Sequence, residues 1–198
     1  MAASSGKSLP MIGFLTVCQQ NDGSVVGGYL VLNAAGRPLE FHCTAPVRPS
    51  RAQEILYGPT LKPFLYGEQI GRALVGKATS AAAFVCTDSE PVLALRDLTD
   101  TPLILVATDA EPETSEPPCA TAREVRIDEA HPVLLPAARR TLTWFSLGAQ
   151  RAASLAVHVQ DCETVRRHWQ TQLEGLDLCE PFARIREALQ EAQRTPAR

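Results

Sequence analysis

GRPLEFHCTAPVRPSRAQEILYGPTLKPFLYGEQIGRALVGKA, residues 36–78, reads as a strand, a proline-framed loop and a helix. Over 38–44, Leu39, Phe41 and Cys43 alternate with Glu40, His42 and Thr44, the period-two pattern of a half-buried strand. Glu40 and His42 therefore share one face. Pro46 and Pro49 stiffen the loop that follows. Ser50, with Gln53 three residues on, has the spacing of a capping box and opens a short helix that Gly58-Pro59 ends. Thr60 caps a second helix that runs to about Lys77, with Pro63 in its first turn, where a missing N–H costs little. Leu61, Phe64, Leu65, Glu68, Gly71, Val75 and Ala78 fall on one face at helical spacing. That spacing predicts a Glu68 turned toward the sheet, with Gly67 and Gly71 letting the helix approach closely. A carboxylate on an apolar stripe is costly unless paired, so Glu68 marks a site or a specific network.

Outward from this stretch, residues 11–19 (MIGFLTVCQ) form a strand, and Asn21-Asp22-Gly23 is a turn. Residues 25–33 (VVGGYLVLN) form a second strand, apolar on both faces and so central. Gly27-Gly28 within it predicts a bulge or a close backbone approach. Ala35-Gly36-Arg37 then turns into the third strand, completing an antiparallel meander. On the other side, residues 81–87 (AAAFVCT) and 101–108 (TPLILVAT) are short apolar strands that end in Asp88 and Asp109. Ser89-Glu90-Pro91 opens a short helix between them, over 92–98. The class is α/β. The sheet is mixed, an N-terminal antiparallel three-strand meander followed by α-β-α-β, with its later strands parallel.

Residues 110–122 (AEPETSEPPCATA) are rich in proline and glutamate, a linker or loop after a 1–109 core. A C-terminal extension over 123–198, α-rich or α+β, is expected to pack on that core. In it, 125–127 reads as a strand, and 142–147 (LTWFSL) and 155–159 (LAVHV) fit strands or helices equally. Asp161 is placed to cap a helix over 162–173. Asp177 with Glu180 forms a capping box for a last helix, whose stripe is Phe182, Ile185 and Leu189.

The 198 residues suffice for one α/β domain with a full core, or for a domain and a smaller appendage. With 45% hydrophobic and 21% charged residues, the chain has globular composition. A net charge of −3 gives no overall basic footprint for nucleic acid. Arg139-Arg140, Arg151 and Arg166-Arg167, near Trp144, Phe145 and Trp169, make the C-terminal part only locally basic, which reads as a solvated face. No basic segment leads a long apolar run at the N-terminus, and no apolar segment reaches the ~18 residues that span a membrane. The cysteines Cys18, Cys43, Cys86, Cys119, Cys162 and Cys179 lie far apart, without CxxC, and are expected to be reduced thiols in a cytoplasmic protein. No Walker loop, GxGxxG or GxSxG occurs, so nucleotide binding and serine hydrolysis lack support.

The order meander, helix, strand, helix, strand over residues 11–109 resembles the ribonuclease H-like fold. It is also compatible with a profilin-like or other mixed α/β arrangement. The ribonuclease H-like resemblance implies two-metal catalysis by carboxylates on the first strand, the first long helix, the next strand and a later element. Glu68 matches the helix position and Asp88 the next strand end. Asp109, or an acid of the last helix such as Glu180 or Glu187, would supply the later one. The first strand offers Thr16, Cys18, Gln19 and Gln20, with no acid before the turn at Asp22.

Two functions follow. The first is a non-catalytic cytoplasmic interaction or regulatory module with a protein partner and no cofactor. In it the aspartates are turn and cap residues. The alternative is a divalent-metal-dependent phosphodiesterase or nuclease acting on nucleic acid. There Glu68, Asp88 and Asp109 are the catalytic residues and the ligands of Mg²⁺ or Mn²⁺. Glu40, His42 and Arg37 are candidate binding residues. Strand residues two apart project to one side about 7 Å apart, close enough to set an imidazole beside a carboxylate. The blander reading of Glu40 and His42 is the polar outer face of the meander. A zinc site built from Cys18, Cys43, Cys86 and His42 fails on geometry, because His42 and Cys43 point to opposite faces.

Overall fold

The computed structural model describes residues 10–107, 141–173 and 175–194. Among the described residues, seven strands form one mixed sheet. They are β1 Ile12–Gln19, β2 Val25–Leu32, β3 Pro38–Cys43, β4 Phe84–Thr87, β5 Leu103–Val106, β6 Leu142–Leu147 and β7 Gln150–Leu155. Their order across the sheet is β3-β2-β1-β4-β5-β7-β6. The meander β1-β2-β3 is antiparallel, β4 and β5 continue parallel to β1, and the β6-β7 hairpin adds antiparallel to β5. This is the expected mixed α/β class. The meander closes because its turns are short and suited to their residues. Gly23 and Gly36 adopt φ of 80° and 72°, and Asn33 Oδ1 accepts the backbone N–H groups of Ala35 and Arg37, each at 3.0 Å.

Helices cover both faces. The first helical run comprises α1 Arg51–Tyr57, a 3₁₀ turn Gly58–Thr60, α2 Leu61–Pro63, a π-helical stretch Phe64–Gly71 and α3 Arg72–Lys77. Leu65, Ile70 and Leu74 from this run, with Val92 and Leu95 of the 3₁₀ helix Glu90–Leu98, pack on Leu15, Tyr29, Val31, Val85 and Leu103. Against the other face lie α4 Gln160–His168, the π-helical Trp169–Leu173 and α5 Glu180–Arg194. There Val165, Trp169, Phe182, Ile185 and Leu189 meet Ile12, Phe14, Leu30, Cys86 and Ile104. Every residue of β2 is buried, as the central assignment requires. Gly27 and Gly28 permit this on opposite faces. A Cβ at Gly27 would collide with Ile70, and one at Gly28 with Ile185. The bulge lies elsewhere, at Val31/Leu32 against β3.

The α1 capping box is present, with Ser50 Oγ accepting from Gln53 N at 3.2 Å and Gln53 Oε1 accepting from Ser50 N at 2.9 Å. The expectation that Glu68 faces the sheet is corrected: Glu68 is exposed, and Leu65, Tyr66, Gly67, Ile70 and Gly71 are buried. The reason is the π-helical stretch. Its wider turn carries the inward face from Leu65 to Ile70, five residues on, and swings Glu68 outward. A 3.6-residue wheel, drawn through Phe64 and Val75, misplaces it.

The C-terminal segment is α+β. Its hairpin lengthens the sheet and its helices pack on one face. Strand β7 spans Gln150–Leu155 and gives way to a 3₁₀ turn Ala156–His158, so 155–159 is not a strand. Asp161 is not a cap either. It lies in the first turn of α4, 1% exposed. The Asp177–Glu180 box is only half formed: Asp177 Oδ1 accepts from Cys179 N at 2.8 Å and from Glu180 N, the first residue of α5, at 3.3 Å, while the Glu180 carboxylate pairs with Arg184. The 110–122 linker, the 125–127 strand and Asp109 lie outside the described residues.

Candidate functional site

The carboxyl ends of parallel strands are where open α/β sheets usually bind ligands. Asp88 stands there, one residue past β4, on the face covered by α5. Its side chain is 3% exposed. Thr16, 1% exposed on the neighbouring β1, donates its hydroxyl to Asp88 Oδ1 at 2.7 Å. The second carboxylate oxygen pairs with the Arg186 guanidinium of α5. Burial pushes the Asp88 carboxyl above its ordinary value, with Thr16 and then Arg186 pulling against it. Cys18, two residues beyond Thr16 on the same face, has its thiol pushed up by burial, against the pull of Arg186. It is therefore not an activated thiolate. The arrangement balances one carboxylate with one guanidinium.

Glu68 belongs to the helical layer on the opposite face of the sheet from Arg186, and it points to solvent. Glu68 and Asp88 are not brought together. Glu180 pairs with Arg184, four residues on, and Glu187 is exposed. Among the described residues no group of three His, Cys, Asp or Glu side chains is placed to hold a metal ion. Cys18, Cys43, Cys86 and Cys162 carry free thiols.

Glu40 and His42 do share a face, with His42 Nε2 2.6 Å from Glu40 Oε1. That face is not the polar outside of the meander. It turns toward the helical layer, where Glu40 accepts the backbone N–H groups of Thr79 at 2.9 Å and Ser80 at 2.9 Å, just past α3. The Thr79 N–H, then His42 and the Ser80 N–H, hold the Glu40 carboxyl down at about 2. On the other face of β3, Leu39 and Phe41 are 49% and 39% exposed. The inversion has a simple cause: β3 is an edge strand, and α5 packs over β1 and β2. Arg37 is an exposed turn residue whose backbone bonds to Asn33. Glu40 and His42 thus serve as a latch between edge strand and helix layer.

Sequence reasoning missed a second charged centre. Arg96 and Asp161, 65 residues apart, pair at 2.8 Å beside the start of β5. No local pattern signals such a pair, and an aspartate just before a helix reads as a cap. Next to it Arg96, Asp97, Leu98, Thr99, Asp100 and His158 line an open groove of about 450 Å³. Compared with protein-family models, curated proteins and solved structures, the chain matches none.

Proposed function

We propose that the chain is a non-catalytic interaction or regulatory module of the cytoplasm, acting through a protein partner, on a frame of ribonuclease H-like order. The observation that carries this reading is the Asp88–Arg186 pair. A two-metal centre needs several carboxylates whose charge is left for cations. Here the carboxylate at the end of β4 is spent on a guanidinium and a hydroxyl. The β1 residue that faces it is Thr16, and Glu68 stands on the far layer. The run β3-β2-β1-β4-β5, with its antiparallel meander and parallel continuation, supports the ribonuclease H-like order. The cytoplasmic placement rests on six dispersed cysteines without a CxxC pair. No described helix is long and apolar enough to cross a membrane.

Titration with Mn²⁺ and Mg²⁺, followed by thermal melting and by cleavage of a phosphodiester substrate, tests the reading. Unchanged melting and no cleavage are expected. Metal-dependent stabilisation or cleavage that Asp88→Asn abolishes would overturn it.

A further inference from the structure

Strand β3 ends one side of the sheet. Thr44 N donates to Gly27 O at 3.0 Å, and along the same ladder His42 stands opposite Tyr29 and Glu40 opposite Val31. Antiparallel strands alternate residues that bond across the ladder with residues that do not. Glu40, His42 and Thr44 therefore bond toward β2, and Phe41 and Cys43 turn their N–H and C=O groups to the open edge. The Leu39 carbonyl points the same way, because the Glu40 N–H of the same planar trans peptide points to β2. Among the described residues nothing bonds these groups. The side chains of Leu39, Phe41 and Cys43 are exposed beside them. An open strand edge flanked by apolar side chains is a template for another strand.

The polar residues of β3 select the occupant. Glu40 and His42 share the covered face, with side chains 14% and 26% exposed. A foreign apolar strand on this edge would take water from them and add no polar partner. A copy of β3 adds one to each, because Leu39-Glu40-Phe41-His42-Cys43 is self-complementary about Phe41. We propose that two copies of the chain join their sheets edge to edge, β3 against β3, antiparallel about a two-fold axis at Phe41. Phe41 then exchanges both backbone bonds with Phe41 of the second copy, and the Cys43 N–H donates to the Leu39 carbonyl opposite. On the exposed face Phe41 meets Phe41 and Leu39 meets Cys43. On the covered face each Glu40 stands opposite a His42, at a Cβ separation of about 4.5–5.5 Å. Centring the axis on Glu40 sets carboxylate against carboxylate, and centring it on His42 sets imidazole against imidazole, so both registers are disfavoured. The contact uses the same patch on both copies and closes as a dimer. It is small, so the dimer is weak. It is additional to the foreign partner of the interaction-module reading and does not depend on it.

Sedimentation velocity of the full chain, from micromolar to millimolar concentration, tests the proposal. A reversible monomer–dimer equilibrium is expected. Phe41→Lys sets like charges opposite each other and should raise the dissociation constant at least about tenfold. Position 41 is exposed, and an unchanged melting curve verifies that the variant is folded. Leu56→Lys, at an exposed position of α1, should leave the equilibrium as it is. Oxidative cross-linking with peptide mapping reads the register. In Phe41→Cys/Cys43→Ser the two Cα atoms at position 41 stand about 5.5 Å apart, within reach of a disulfide. In the unaltered chain each Cys43 lies four residues along from its counterpart, at roughly 14 Å, and should not link to it. A monomer at every concentration would overturn the proposal, as would a dimer that Phe41→Lys leaves intact or one linked through Cys43 to Cys43.

Discussion

Arg96 and Asp161 form a bidentate ion pair that joins the two helical layers around the amino end of β5. Arg96 comes from the 3₁₀ helix on one face of the sheet and Asp161 from α4 on the other, with side chains 11% and 2% exposed. Asp161 Oδ2 also accepts the Leu103 N–H at 3.2 Å, so the carboxylate holds the first residue of β5 in place. Buried charges persist only when paired and hydrogen-bonded, and here both conditions hold.

Asp161→Ala leaves the guanidinium buried without its counter-charge. Urea denaturation should show a loss of about 3–5 kcal/mol in unfolding free energy. Replacing both partners, as Arg96→Met/Asp161→Leu, should recover much of that loss, because no uncompensated charge remains. A loss below about 1 kcal/mol for Asp161→Ala would mean that the pair behaves like a surface salt bridge.

Arg186→Ala uncovers Asp88. The guanidinium is 45% exposed and the carboxylate 3%, so the cost should fall below that of the Arg96–Asp161 pair, at about 1–3 kcal/mol. Asp88→Asn keeps an acceptor for Thr16 and should cost less than Arg186→Ala. Calorimetry with Mn²⁺ should find no binding to the Arg186→Ala protein, since a lone carboxylate is left. Tight Mn²⁺ binding by that variant would show a metal site masked by the arginine.

Glu40 gives the molecule a pH dependence of known sign. Its carboxyl is held at about 2 in the fold against an ordinary value of 4.5. A depressed carboxyl contributes stability that is fully present above the unfolded value and is lost as pH falls toward the folded one. Melting temperature should therefore drop between about pH 4.5 and pH 2, and part of that drop should vanish in Glu40→Gln. Identical pH profiles for wild type and Glu40→Gln would remove the latch from the account.

The class of the sheet and the burial of β2 were legible because alternation and apolar runs are local signals. The α5 stripe of Phe182, Ile185 and Leu189 was legible for the same reason, and all three are buried. Glu68 was misread because a π-helical turn has no marker in a 3.6-residue pattern. Leu39 and Phe41 were misread because the pattern of β3 records only that its faces differ. Which face is covered depends on where α5 lies, more than a hundred residues later. The charged pairs were invisible for a related reason: Thr16, Asp88 and Arg186 come from three separate places in the chain, and Arg96 and Asp161 from two elements 65 residues apart.

Gly28 of β2 and Gly76 of α3 offer a test in which one substitution changes sign with position. Gly28→Ala puts a methyl group into Ile185 of α5. Ile185 is fully buried and β-branched, so neither its rotamer nor its surroundings give way easily. The expected cost is about 1–3 kcal/mol, from displacement of α5 or strain at the contact. Gly76, in α3, has open space around the same methyl position. There Gly→Ala lowers the backbone entropy of the unfolded chain and should stabilise by about 0.5–1 kcal/mol. Chemical denaturation of the two variants should thus move in opposite directions. Ile185→Val trims the opposing side chain, so combining it with Gly28→Ala should cost less than the sum of the single changes. Strict additivity would mean that the methyl group and Ile185 do not meet, and that α5 does not seat on β2 through Gly28.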